Sequence, residues 1–89
     1  MMKYRKKPIV IEAMQFMGDV GSLAAIEAWS RGSVRYSNDD GVVCETLEGP
    51  LHVSDDDWVI RGVKGEFYPC KPDVFEATYE PAETESVVE

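Results

Sequence analysis

The stretch Trp58-Val59-Ile60-Arg61-Gly62-Val63-Lys64-Gly65-Glu66-Phe67-Tyr68 decides the fold class. Two runs rich in β-branched and aromatic residues, 58–61 and 66–68, flank four residues whose two glycines reach positive φ without steric cost. That arrangement predicts an antiparallel hairpin. Upstream the same punctuation recurs. Residues 33–37 and 42–47 flank Asn38-Asp39-Asp40-Gly41, Glu48-Gly49-Pro50 makes the next turn, 51–53 form a short strand, and Ser54-Asp55-Asp56-Asp57 returns the chain to Trp58. Short strands joined by tight turns imply a mostly antiparallel sheet.

Farther toward the N-terminus the periodicity changes. Leu23, Ala25, Ile26 and Trp29 fall on one broad face at helical spacing, with Ala24, Glu27 and Ala28 opposite. Asp19 or Ser22 is placed to cap this helix, and Gly32 to stop it near Arg31. Trp29 is its expected anchor against the sheet. Before it, residues 3–17 read as one strand through Tyr4, Ile9, Val10, Ile11 and Phe16, with Pro8 tolerable at an edge and a bend near Glu12 where the apolar face switches. Such a bend suits a sheet curling toward a barrel. Downstream, Pro72 fits the first position of a short helix over 72–79, with Val74, Phe75 and Thr78 on its inner face and Tyr79 completing the packing. The expectation is a small α+β domain over residues 1–81: a curved sheet of five or six short strands, one packed helix near 19–31 and a short C-terminal helix. Residues 82–89 read as an acidic, disordered tail.

At 89 residues, 44% of them hydrophobic, the chain is sized for a single core. Cys44 and Cys70 stand far apart and read as reduced thiols, although sequence does not report whether two strands bring them together. No run approaches the ~20 apolar residues of a membrane span, and Ile9-Val10-Ile11 is too short for a signal-peptide core. The protein is therefore expected to remain in the compartment where it is made. The net charge of −8 is uneven, with Lys3, Arg5, Lys6 and Lys7 at one end and Glu80, Glu83, Glu85 and Glu89 at the other. An acidic surface repels phosphate, which disfavours nucleic acid and favours basic partners. The lysines at the start suit an edge that resists aggregation.

Enzyme chemistry finds little purchase. His52 is the only histidine, and no motif joins it to Cys44 or Cys70 as a nucleophile pair. Those three residues fall short of a paired four-ligand zinc site, and Asp55-Asp56-Asp57 lacks the alternation, central glycine and distal glutamate of a calcium loop. Gly62-Val63-Lys64-Gly65 is not a phosphate-binding loop. The sequence implies no metal or cofactor. One constellation stands out, with Arg61, Lys64 and Lys71 clustering beside Tyr68 and ahead of the Pro72 helix. It reads either as an anion site or as bases balancing Glu66, Asp73 and the three aspartates. Trp58 and Tyr68 are further candidates for partner contact or self-association.

The opening Met2-Lys3-Tyr4-Arg5-Lys6-Lys7-Pro8-Ile9-Val10-Ile11-Glu12-Ala13 and the segment from Asp57 to Glu80, DWVIRGVKGEFYPCKPDVFEATYE, resemble a family of small phage and prophage proteins of unknown role. The family commonly carries Pro-Gly-Asp before the tryptophan, where this chain has Asp55-Asp56-Asp57, so the turn tolerates variation. The resemblance implies expression in the cytoplasm of a bacterial host. The resulting expectation is a non-enzymatic accessory protein that binds a host or phage protein. The alternatives are a homo-oligomeric assembly component and a protein that sequesters an anionic small molecule.

Overall fold

The computed structural model describes residues 1–5 and 7–82, so the expected disorder of the tail falls, apart from Ala82, outside the described residues. The chain is α+β, with strands β1 (Glu12–Gln15), β2 (Val34–Ser37), β3 (Gly41–Thr46), β4 (Gly49–His52), β5 (Trp58–Arg61) and β6 (Phe67–Cys70). Helix α1 (Val20–Trp29) follows β1, and α2 (Pro72–Thr78) follows β6. The strands form two antiparallel three-stranded sheets, ordered β1-β5-β6 and β2-β3-β4, and the second approaches the first where β3 and β4 meet β6. No barrel closes.

The strand expected over 3–17 is cut to Glu12–Gln15. The reason lies in its neighbour. Glu12 pairs with Arg61, the last residue of β5, and the chain then turns at Gly62, whose N–H donates to the Glu66 carbonyl. Among the described residues, those before Glu12 have no strand beside them, and Ile9 and Val10 stand 51% and 78% exposed. The β3–β4 turn is also shifted. Leu47 and Glu48 make it, because Thr46 pairs with Gly49 and the Thr46 hydroxyl donates to the Gly49 carbonyl at 2.7 Å. Gly49 and Pro50 thus belong to β4, an edge strand where the missing proline N–H is harmless. β6 runs two residues further than expected, to Cys70.

Helix α1 is capped as its sequence indicates. Asp19 takes an extended backbone and its carboxylate accepts from the Ser22 N–H at 2.8 Å. At the other end Arg31 and Gly32 adopt φ of 55° and 85°, and the Gly32 N–H donates back to the Glu27 carbonyl, which ends the helix two residues earlier than expected. Ile26 is fully buried, while Leu23 and Trp29 flank it half-buried. Ala25, expected on the inner face, is exposed. Ser30 takes an unexpected buried place, its hydroxyl accepting from the Val34 N–H at 3.0 Å and so tying the helix end to β2.

Phe16, Ile26, Val34, Val42, Cys44, Val53 and Val59 form the core, with Met14, Leu23, Trp29 and Phe67 packed around it. Trp29 meets Phe67 edge-on at 5.1 Å and donates from its indole N–H to Glu12 at 3.2 Å. Trp29→Ala should lower stability by about 3 kcal/mol, seen as a lower urea midpoint. An unchanged midpoint would remove Trp29 from the set of anchors.

Candidate functional site

Alternation along β5 and β6 sorts the candidate residues onto two faces. Val59 and Arg61 share a face with the paired Phe67, Met14 and Glu12, which is the face that meets the core. Trp58 and Ile60 point the other way with Tyr68 and Cys70, and on that face α2 meets Trp58. Phe75 stacks on Trp58 with ring centroids 4.1 Å apart and planes 6° from parallel, and Tyr79 follows Phe75 at 5.1 Å. Trp58 and Tyr68 are therefore half-buried packing residues. Of the residues expected on the inner face of α2, Phe75 is there, whereas Val74 and Thr78 are exposed.

The three basic residues are not brought together. Register places Trp58 opposite Cys70 and Arg61 opposite Phe67, so Lys71 emerges at the end of the hairpin remote from Arg61 and Lys64. Lys71 lies four strand residues from the Phe67 that faces Arg61, about 13 Å. Arg61 pairs with Glu12 at 3.3 Å, and Lys71 with the buried Asp57 at 3.3 Å. The compensating role anticipated for these bases describes the Lys71–Asp57 contact, whereas Arg61 is balanced by Glu12 on the neighbouring strand and by none of the acids expected. Lys64, at the turn, makes no ion pair among the described residues.

Asp57 organises its own corner. Its carboxylate, 3% exposed, accepts from the Ser54 N–H at 2.9 Å and from Lys71, and its backbone carbonyl accepts from Phe16. Asp57 thus holds the turn over 54–57. Nearby, the Ser54 hydroxyl lies 3.2 Å from His52 Nδ1, and among the described residues His52 Nε2 makes no hydrogen bond. Both cysteines are free. Burial pushes the Cys44 thiol up to about 11, and burial with the nearby Asp57 and Asp73 raises Cys70 as well. Neither has the lowered pKa of an activated nucleophile.

Two open hollows mark the surface. One, of about 240 Å³, lies between Val10, Ile11, Glu12 and the turn carrying Arg61, Gly62, Val63 and Gly65; Glu12 already neutralises the arginine there. The other, of about 230 Å³, is a groove between the β3–β4 turn and β6. Leu47, Leu51, Phe67 and Tyr68 supply its apolar surface, and Glu48 and Glu66 its acidic rim. Leu47 is 86% exposed at the tip. Sequence reasoning passed over this groove because it joins two sheets, although a leucine in a two-residue turn is a signal worth reading. Among the described residues no three His, Cys, Asp or Glu side chains are grouped to hold a metal ion, and no helix is long and apolar enough to cross a membrane. Comparison with protein-family models, characterised proteins and solved structures gives no match.

Two measurements test this account. Asp57→Ala strands the Ser54 N–H and should cost about 1–3 kcal/mol, whereas Lys71→Ala, at an exposed lysine, should cost less than about 1 kcal/mol. Equal losses would contradict the assigned roles. Burial, aided by the neighbouring Tyr79 hydroxyl, pushes the Tyr68 phenol up to about 12. A raised phenol pKa makes the folded state resist deprotonation, so its stabilising contribution is full below the unfolded value near 10 and is lost as pH rises toward about 12. Ultraviolet titration should show one late-ionising tyrosine that Tyr68→Phe removes. Four tyrosines ionising together would refute it.

Proposed function

We propose that this chain is a small accessory protein of phage or prophage origin that works in the bacterial cytoplasm by binding another protein, without catalysing a reaction. The observation that carries the binding reading is the groove between the β3–β4 turn and β6. Leu47 is left 86% exposed and Leu51 45% exposed beside Phe67 and Tyr68, at an acidic rim. Exposed apolar surface framed by charge is the usual composition of a protein contact. The rim specifies the partner's chemistry: apolar side chains flanked by lysine or arginine. The phage origin rests on the resemblance of residues 2–13 and 57–80, and that origin points to a host or phage protein as the partner.

The reading of an anion-sequestering protein loses its basis once Arg61 and Lys71 are separated and each is paired with a carboxylate. Catalysis has little support from raised thiol pKa values and from a histidine whose one hydrogen bond among the described residues runs to a serine hydroxyl.

The test is capture from bacterial lysate on immobilised protein, comparing the natural chain with Leu47→Asp and Leu51→Asp. Both leucines are exposed, so melting temperatures should change little. The expected result is a saturable partner whose retention falls at least about tenfold in the variants, equivalent to about 1.4 kcal/mol. A partner held equally by all three proteins would overturn the groove, and the lack of any saturable partner would overturn the binding reading.

A further inference from the structure

Residues 7–11 carry strand-forming sequence without a strand partner among the described residues, and they run directly into β1, the edge of its sheet. The hydrogen bonds of Phe16 reveal which groups face that edge. Its N–H donates to Asp57 and its carbonyl accepts from Asp56, so Phe16 turns toward β5. In an antiparallel ladder backbone polarity alternates with period two. Met14 and Glu12 therefore also turn toward β5, whereas Ala13 and Gln15 turn their backbone groups to the open side. Extended backward, the open series continues through Ile11, Ile9 and Lys7. Pro8 falls in the inward series, where its missing N–H interrupts nothing on the open edge, and it also biases Lys7 toward an extended backbone.

We propose that residues 7–15 pair antiparallel with the same residues of a second copy, Ile11 facing its counterpart across a two-fold axis and Ile9 lying opposite Ala13. The two three-stranded β1-β5-β6 sheets would then join edge to edge as one six-stranded sheet. Charge selects this occupant. Arg35, Arg61 and Lys71 are paired within the fold, whereas Lys3, Arg5 and Lys7 precede β1 without an ion pair among the described residues. Beyond the far end of β1 stand the exposed acids Asp19, Asp55 and Asp56. Antiparallel pairing carries the basic end of each arm past the acidic end of the other copy's β1. Parallel pairing would set like charges side by side. The same basic residues that discourage indiscriminate edge contacts thus favour this one. The surface is distinct from the Leu47 groove, so the two proposals stand or fall separately.

The test is sedimentation equilibrium of the full chain over a wide concentration range, with Ile9→Pro, Val10→Pro and Arg5→Glu. The expected result is a reversible dimer weakened by added salt and by Arg5→Glu. Ile9→Pro, which deletes an outward N–H, should raise the dissociation constant at least about tenfold, and Val10→Pro, which deletes an inward one, clearly less. Melting of the dilute variants shows that the monomer fold is intact, and amide exchange at Ala13 and Gln15 should slow as concentration rises. A chain that stays monomeric throughout, or a dimer indifferent to Ile9→Pro, would overturn the proposal. So would a dimer abolished by Leu47→Asp, which would place the contact in the groove.

Discussion

Strand β5 is buried on both faces, and the architecture follows from that constraint. Val59 and Ile60 are neighbours, so the pleat points them in opposite directions, yet their exposures are 0% and 1%. Burying such a side chain contributes about 1.5–3 kcal/mol, and neither contribution exists unless its face of the sheet is covered. On the Val59 side the covering comes from α1 and the second sheet, through Ile26, Val34 and Cys44. On the Ile60 side lies the aromatic layer in which Phe75 of α2 stacks on Trp58 and Tyr79 follows Phe75. The contact between Lys71 and Asp57 holds the start of α2 to the start of β5, so the short helix arrives already aligned.

What was legible in the sequence was local. The turn at Asn38-Asp39-Asp40, the Gly62-Val63-Lys64-Gly65 turn, the Asp19 cap and the Pro72 start each depend on a few adjacent residues and form as read, except that Gly41 joins β3 opposite Ser37. The failures share a dependence on something distant. Residues 3–11 have ample strand propensity, but the length of β1 is set by where β5 stops. The same limitation applies to the bases. A separation of ten positions between Arg61 and Lys71 looks like proximity, whereas a hairpin returns the chain and puts them at opposite ends. Ala25 stays exposed, while Ser30, given no role in the sequence reading, is buried because the helix ends in a tight turn that carries it inward. The groove beside Leu47 lay beyond reach, since it exists only once the β3–β4 turn comes to rest near β6.

The electrostatic layout links these pieces. A chain of net charge −8 commits three of its bases to pairs that stitch neighbouring strands or a turn to a helix. Exposed pairs such as Arg35–Glu45 add little to stability. Their larger effect is on the surface field: the folded body presents acids, including those on the groove rim, while basic charge gathers before β1. Partners approaching the body and partners approaching the arm therefore meet opposite potentials.

The pairing of β1 with β5 also divides the molecule into a frame and an insert. β1, β5, β6 and α2 make up the frame, and the whole β2-β3-β4 meander is strung between its first two strands. Closing a loop of that size is entropically tolerant of further growth, because doubling its length adds only about 0.6 kcal/mol. The tip at 38–40 makes no pair with the frame and can lengthen without disturbing its register, whereas the tip at 47–48 lies against β6. This geometry gives the chain a place to vary its outline while its two ends stay constant.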